Sequence, residues 1–88
     1  GLNRTAMFTA TERVRIIFGL KLKQLRQDRG LQVNELADRA GLSSSYLVEI
    51  EKGKKYPKSE KIFALATALQ TDYDTLVSGK LSKRLEPI

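Results

Sequence analysis

The apolar residues of this chain recur at intervals of three and four, and no stretch shows the alternation of apolar and polar residues typical of a half-buried strand. The first apolar stripe consists of Val14, Phe18, Leu22 and Leu25. It begins after a capping box formed by Thr9 and Glu12, and it ends at Gly30. The spacing therefore predicts an all-α protein whose extended first helix covers about residues 10–29.

Four shorter helices are predicted after Gly30, because further apolar stripes lie between residues that start and stop helices. Their approximate limits are residues 31–40, 43–52, 58–69 and 72–79. This pattern predicts an N-terminal arm over residues 1–8, a five-helix domain over 9–79 and a C-terminal extension over 80–88. Because residue 1 is glycine and a new apolar spacing begins near residue 81, we expect a fragment of a longer protein.

The composition of the 88 residues narrows the function classes. The chain has no cysteine and no histidine, which excludes disulfides, thiolate catalysis and zinc fingers. Carboxylate pairs such as Asp72 with Asp74 lack the cleft that an enzyme needs, so we expect no enzymatic activity, no metal and no cofactor. No long apolar run and no secretory leader is present, so we expect a cytoplasmic protein without a membrane partner.

The charge distribution favours a polyanionic partner. Sixteen Lys and Arg residues face ten Asp and Glu residues, which gives a formal net charge of +6. The excess lies in the first helix and in the segment 52–58, which contains Lys52, Lys54, Lys55 and Lys58 and no acidic residue. Such a segment is ordinarily a solvated loop, but its position suggests contacts with the phosphates of nucleic acid.

Residues 33–51 have the pattern of a helix-turn-helix unit. Two helices that cross steeply need a small residue where they touch, which Ala37 supplies, and a residue tolerant of positive φ at the bend, which Gly41 supplies. The outward face of the second helix would then carry Ser44, Ser45, Val48 and Glu49. These side chains are short enough to let the helix enter a groove of DNA.

A set of short motifs with fixed spacing makes the pattern specific. The motifs are Gly30-Leu31, Glu35-Leu36-Ala37, Ala40-Gly41-Leu42-Ser43, Ser45-Tyr46-Leu47, Ile50-Glu51-Lys52-Gly53-Lys54, Pro57 and Ala66-x-Ala68-Leu69. Over about residues 18–78 the chain resembles the phage repressor/Cro family, also called the xenobiotic-response-element family. The resemblance implies a five-helix repressor-like domain with the third helix in the major groove. It also implies no cofactor and a homodimer on an inverted-repeat operator.

The chain departs from the family pattern at three points. Gln32 and Val33 stand where relatives usually carry Ser or Thr followed by Gln, so a phosphate contact falls to Gln32. Gln70 replaces the usual glycine after the fourth helix. Glu49 is an unusual residue for a recognition helix, because its carboxylate can accept a hydrogen bond from cytosine N4 but is repelled by phosphates.

The candidate DNA contacts divide into two groups. The candidate base contacts are Ser44, Ser45, Val48 and Glu49. The candidate phosphate contacts are Gln32, Ser43, Lys52, Lys54, Lys55, Tyr56 and Lys58. Structural alternatives stay open: Glu49 could pair with Lys52 one turn later, Tyr56 could pack under Pro57, and Tyr46 is expected to pack rather than to contact DNA.

Two further contacts are expected. Arg26 and Glu51 stand where the family places an internal ion pair, so we expect a bidentate contact between the first and third helices. A C-terminal apolar stripe suggests a dimer interface, with the alternative that it folds back on the first helix of its own chain. The stripe consists of Tyr73, Val77, Leu81, Leu85 and Ile88.

Two functions from different classes remain open. The first is a sequence-specific transcriptional regulator that binds double-stranded DNA as a homodimer, with an effector or a further domain outside this chain. The second is an antitoxin or adaptor that uses the same scaffold to bind a protein. The acidic, serine-rich third helix is the feature that keeps this second hypothesis open.

Overall fold

The computed structural model describes residues 8–78, and this part of the chain contains five α-helices and no strand. In chain order they are α1 (Ala10–Asp28), α2 (Val33–Ala40), α3 (Ser44–Glu51), α4 (Ser59–Ala68) and α5 (Tyr73–Val77). The prediction of an all-α, five-helix domain with a long first helix is confirmed.

Three helices begin at the caps that the sequence predicted. The Thr9 hydroxyl accepts a hydrogen bond from the Glu12 N–H at 3.1 Å, and the Glu12 carboxylate accepts one from the Thr9 N–H at 2.8 Å. Ser43 caps α3 in the same way, at 3.1 Å from the Tyr46 nitrogen. Asp72 caps α5 through the Thr75 N–H at 2.7 Å, and this hydrogen bond lowers the pKa of the Asp72 carboxyl.

The second helix begins two residues later than predicted. Gly30 has a φ of +67°, and the Leu31 N–H donates to the Arg26 carbonyl at 3.1 Å, which closes the end of α1. Leu31 is therefore part of the turn, where its side chain is buried in the core. Val33 is the first residue of α2 because the chain must complete this turn before it can become helical again.

Every helix contributes to one hydrophobic core. Its fully buried side chains are Leu22, Leu36, Leu47, Ile50, Ile62, Leu65, Leu69, Leu76 and Pro57. Helix α3 packs against α1 and α2, α4 packs against α2, and α5 contacts both α4 and α1. The path of the chain therefore places α3 at the surface with its inner face held by two other helices.

Gly19 lets α1 and α3 approach backbone to backbone. A Cβ at this position would overlap with the carbonyl oxygens of Ile50 and Glu51. Glycine is required here for space, because its own backbone is helical and needs no special φ. The close contact fixes the distance between α1 and the last turn of α3.

The expectation that Val14 belongs to the buried stripe of α1 is wrong. Its side chain is 53% exposed, while the buried residues of this helix begin at Phe18. The other helices cover α1 only from Phe18 onward, so the apolar spacing continues beyond the core. Val14 instead lines a groove of about 130 Å³ with Ile17, Tyr56 and Val77.

Gln70 occupies a left-handed conformation after α4, with a φ of +59°. The turn is closed by hydrogen bonds from the Gln70 N–H to Thr67 at 3.0 Å and from the Thr71 N–H to Ala66 at 2.9 Å. For a residue with a Cβ this conformation costs roughly 1–2 kcal/mol relative to glycine.

Replacing Gln70 by glycine should stabilise the domain by about 1 kcal/mol, because the left-handed strain is removed at some entropic cost in the unfolded chain. The melting temperature should rise by about 4–8 °C for a domain of this size. The matched control is Gln27→Gly in the last turn of α1, which should destabilise by about 1 kcal/mol. A lower melting temperature for Gln70→Gly would contradict the interpretation.

Candidate nucleic-acid interface

The turn between α2 and α3 has the geometry of a helix-turn-helix unit. Gly41 has a φ of +71°, and the Leu42 N–H donates to the Ala37 carbonyl at 2.8 Å. Ala37 is buried where the two helices meet, and Leu36 and Leu47 fill the core on either side of the turn. These contacts turn the outer face of α3 away from the core.

The predicted base-contacting residues share this outer face. Ser44 and Ser45 are exposed in the first turn of α3, while Val48 and Glu49 are partly exposed one turn later. The Ser43 hydroxyl accepts the capping hydrogen bond, so its own proton is left to donate to another group. The face offers small hydroxyl groups, one methyl-bearing side chain and one carboxylate.

The lysine-bearing segment 52–58 follows α3 directly. Lys52 is the C-terminal cap of α3, and Lys58 is the N-terminal cap of α4. Lys54 and Lys55 lie between them, and all four lysines are exposed. From the side of α1, the Arg15 Nε donates to the Gly53 carbonyl at 3.3 Å and ties the segment to the first helix. Positive charge is thereby concentrated beside α3.

Glu49 has a different partner from the one suggested by helical spacing. Its Oε1 lies 3.1 Å from Nζ of Lys55, so the ion pair is formed with Lys55 and not with Lys52, the partner in the alternative that the sequence left open. The reason is the reversal of the chain at Gly53, which has a φ of +80° and brings the following loop back beside α3.

Tyr46 and Tyr56 occupy different environments. Tyr46 packs against the core from α3, as expected. The Tyr56 ring packs on Phe18 with a centroid distance of 4.9 Å. Tyr56 as a whole is 42% exposed. The partial burial of its side chain raises the pKa of the hydroxyl.

The remaining predicted residues lie at the edges of this surface. Gln32 is exposed at the start of α2, where its N–H donates to Glu35 Oε1 at 2.7 Å. Tyr73 and Val77 are partly buried on α5, and the Tyr73 ring lies 4.6 Å from that of Phe63. Leu81 and Leu85 lie outside the described residues.

Comparison with known proteins identifies the family to which this domain belongs. A family model described as helix-turn-helix matches residues 22–76, which includes α2, α3 and the lysine-bearing segment. This chain belongs to the helix-turn-helix family. The resemblance inferred from the sequence motifs is confirmed.

Several regulators are similar to this helix-turn-helix chain. The transcriptional regulator ClgR of Mycobacterium tuberculosis is 44% identical over 57 residues, which cover 65% of this chain and 51% of ClgR. The transcriptional repressor RghR of Bacillus subtilis is 43% identical over 61 residues, covering 68% of this chain and 45% of RghR. The chain thus spans about half the length of the curated relatives it matches.

A solved structure has the same arrangement of helices. The restriction-modification controller protein C.AhdI from Aeromonas hydrophila aligns with a TM-score of 0.69 and 35% sequence identity. The alignment covers 70% of this chain and 94% of C.AhdI. Among residues 8–78, none of the helices combines the length and the apolar character of a membrane span.

The helix-turn-helix unit is tied to α1 by a bidentate ion pair. Arg26 Nε lies 2.7 Å from Glu51 Oε2, and Arg26 Nη2 donates to Glu51 Oε1 at 3.0 Å. Arg26 Nη1 also donates to the Leu31 carbonyl at 2.8 Å. The Glu51 hydrogen bond raises the pKa of the Arg26 guanidinium, and the two side chains are only 10% and 8% exposed. The contact expected from the sequence is present.

Lys61 is a residue of this surface that the sequence analysis missed. It lies on α4, but it lines the same open depression as Ser45, Glu49 and Lys55. Its Nζ lies 5.9 Å from the centre of the Tyr46 ring, and Lys55 Nζ lies 5.6 Å from it. Linear spacing contains no signal for this neighbour, because α4 reaches α3 only through the packing of the domain.

Replacing Glu51 by glutamine should lower the free energy of unfolding by about 3 kcal/mol, because the change leaves the Arg26 charge buried without its counter-ion. A fall of more than 10 °C in melting temperature is expected, since about 1 kcal/mol corresponds to 4–8 °C here. Glu60→Gln, at an exposed position of α4, is the control and should cost about 0.5 kcal/mol or less. Equal shifts for the two variants would refute a stabilising role for the ion pair.

Proposed function

We propose that this domain is the DNA-binding part of a sequence-specific transcriptional regulator, with α3 inserted in the major groove. The observation that carries the proposal is the joint placement of two features on one side of the molecule. The outer face of α3 has short polar side chains, and a segment with four exposed lysines follows it directly. A helix without bulky side chains can approach base edges, and lysines beside it can contact the flanking phosphates.

Base recognition is assigned to Ser44, Ser45, Val48 and Glu49. Serine hydroxyls can donate to or accept from several bases, and the Val48 methyl groups suit the apolar edge of thymine. Glu49 is the acceptor-only group, which suits the amino group of cytosine.

Phosphate contacts are assigned to the residues around this face. They are Gln32, Ser43, Lys52, Lys54, Lys55, Tyr56 and Lys58. The first N–H groups of α2 and α3 add partial positive charge at the same surface. Such contacts set the affinity and orientation of the domain but carry little sequence information.

The names of the relatives support a regulatory role. RghR is named a transcriptional repressor, ClgR a transcriptional regulator and C.AhdI a controller protein of restriction-modification. By analogy we place this chain in the cytoplasm with double-stranded DNA as its partner, and we assign it no enzymatic activity.

We also propose a homodimer, because one helix in one groove contacts only a few base pairs. The interface is assigned to Tyr73, Val77, Leu81 and Leu85. Val77 borders an apolar groove together with Val14 and Ile17, which are 53% and 40% exposed. Covering these residues with a second copy would remove apolar surface from water.

Binding to duplex DNA should weaken steeply with salt. Three to five phosphate contacts per protomer predict a slope of log affinity against log salt of about −0.9 per contact. Lys54→Ala should weaken binding to all duplexes alike and reduce the steepness of the slope by about 0.9. The measurement is a salt titration on a duplex selected from a random pool by the unmodified chain.

The control for this titration is Lys23→Ala, which removes an exposed lysine of α1 outside the lysine-bearing segment. It should leave the slope nearly unchanged. The absence of salt-dependent duplex binding by the unmodified chain would reject the proposed function and favour an antitoxin or adaptor that binds a protein.

The dimer should dissociate on dilution, which sedimentation at a series of micromolar concentrations measures. The double variant Leu81→Asp with Leu85→Asp should be a folded monomer with weaker operator binding, because two charges would enter an apolar interface. Ser82→Asp, next to the stripe but off it, should leave the dimer intact. A monomer for the unmodified chain at every concentration would contradict the assigned interface.

A further inference from the structure

Glu49 and Lys55 form an ion pair on the flank of α3, at the rim of the face assigned to base recognition. The pair lines an open depression together with Ser45, Tyr46 and Lys61. Glu49 Oε1 lies 3.1 Å from Lys55 Nζ, and their side chains are 43% and 52% exposed. The carboxylate is thus held by a partner and is still open to an approaching ligand.

A lone carboxylate on a recognition helix opposes DNA binding, because phosphates surround the groove that it enters. Here two ammonium groups share its depression. Those of Lys55 and Lys61 lie 5.6 Å and 5.9 Å from the centre of the Tyr46 ring, within the range at which an aromatic face attracts a cation. The Tyr46 ring therefore attracts the ammonium groups of Lys55 and Lys61, which line the same depression as the Glu49 carboxylate.

We infer that Lys55 is a positioning residue for base recognition: it orients the Glu49 carboxylate to accept a hydrogen bond from the amino group of a cytosine. Lys61 and Tyr46 support this arrangement by holding positive charge beside the carboxylate. The inference rests on the proposed function. It adds, to the phosphate contact assigned to Lys55 above, a role that the other lysines of segment 52–58 do not have.

The chemistry of the major groove selects cytosine. A carboxylate only accepts hydrogen bonds, and cytosine N4 is a donor with no acceptor beside it on the same base edge. Adenine also has an amino group, but its N7 acceptor lies next to it and repels a carboxylate. Guanine and thymine present acceptors at the corresponding edge. A carboxylate held in one orientation can use this difference.

The expected size of the effect follows from exposure. A good contact between a side chain and a base discriminates by about 1–3 kcal/mol, or roughly 5- to 150-fold in affinity. An exposed ion pair contributes up to about 1 kcal/mol. Removing Lys55 should therefore reduce the ratio of the affinities for cytosine and for the other bases by roughly 2- to 5-fold.

The test measures affinity for four duplexes that differ only at the base pair facing Glu49. The parent duplex is selected from a random pool by the unmodified chain, and the position is the one whose preference changes in Glu49→Gln. That variant should move the preference from cytosine towards adenine, because an amide both donates and accepts and so matches adenine N7 and N6.

Lys55→Ala should reduce the preference for cytosine 2- to 5-fold, and Lys55→Arg should restore it because the cation is retained. Lys54→Ala is the matched control, since it removes a neighbouring exposed lysine outside the ion pair. It should lower affinity for the four duplexes by one common factor. In the Glu49→Gln background, Lys55→Ala should cause no further change in base preference.

Two outcomes would overturn the inference while leaving the proposed function intact. In the first, Lys55→Ala lowers affinity for all four duplexes equally, as Lys54→Ala does, which leaves Lys55 with its phosphate contact and no role in base preference. In the second, Glu49→Gln and Glu49→Ala change no base preference at any position. Failure of the unmodified chain to select any duplex would instead remove the proposed function itself.

Discussion

The contact between α1 and the last turn of α3 determines how the rest of the domain is arranged. Gly19 allows the two backbones to touch, and the ion pair between Arg26 and Glu51 joins the same two helices one to two turns further along. A side chain at position 19 would force the helices apart, because its Cβ would overlap with the carbonyl oxygens of Ile50 and Glu51. The contact fixes where α3 ends and leaves its first turns, with Ser44 and Ser45, at the surface.

The charge of the domain is organised around this fixed helix. Three acidic residues of the α2–α3 region make specific contacts. Glu35 accepts a hydrogen bond from the Gln32 N–H, Glu51 pairs with Arg26, and Glu49 pairs with Lys55. The lysines of segment 52–58 remain exposed beside α3. The four lysines of this segment thereby place part of the positive charge of the protein next to the surface assigned to DNA.

Local features were predictable because they depend on residues close in sequence. The caps at Thr9, Ser43 and Asp72 each involve a side chain and an N–H three residues later, so the pattern alone locates them. Two predictions were wrong because they depend on contacts outside the helix concerned: the burial of Val14 and the start of α2 at Leu31. Val14 continues a regular stripe but is 53% exposed, because the core covers α1 only from Phe18 onward. Leu31 is held in a turn by the hydrogen bond from its N–H to the Arg26 carbonyl.

The fold class, the five helices, the helix-turn-helix pattern and the residue types on α3 follow from the amino-acid sequence alone, because helical periodicity and capping act over three or four residues. Tertiary structure decided the partners. Glu49 meets Lys55 because the chain reverses at Gly53. Lys61 joins them because α4, which packs against α2, carries it to the same depression. Contacts between separate elements depend on how a whole core is filled, and no short stretch of sequence contains that information.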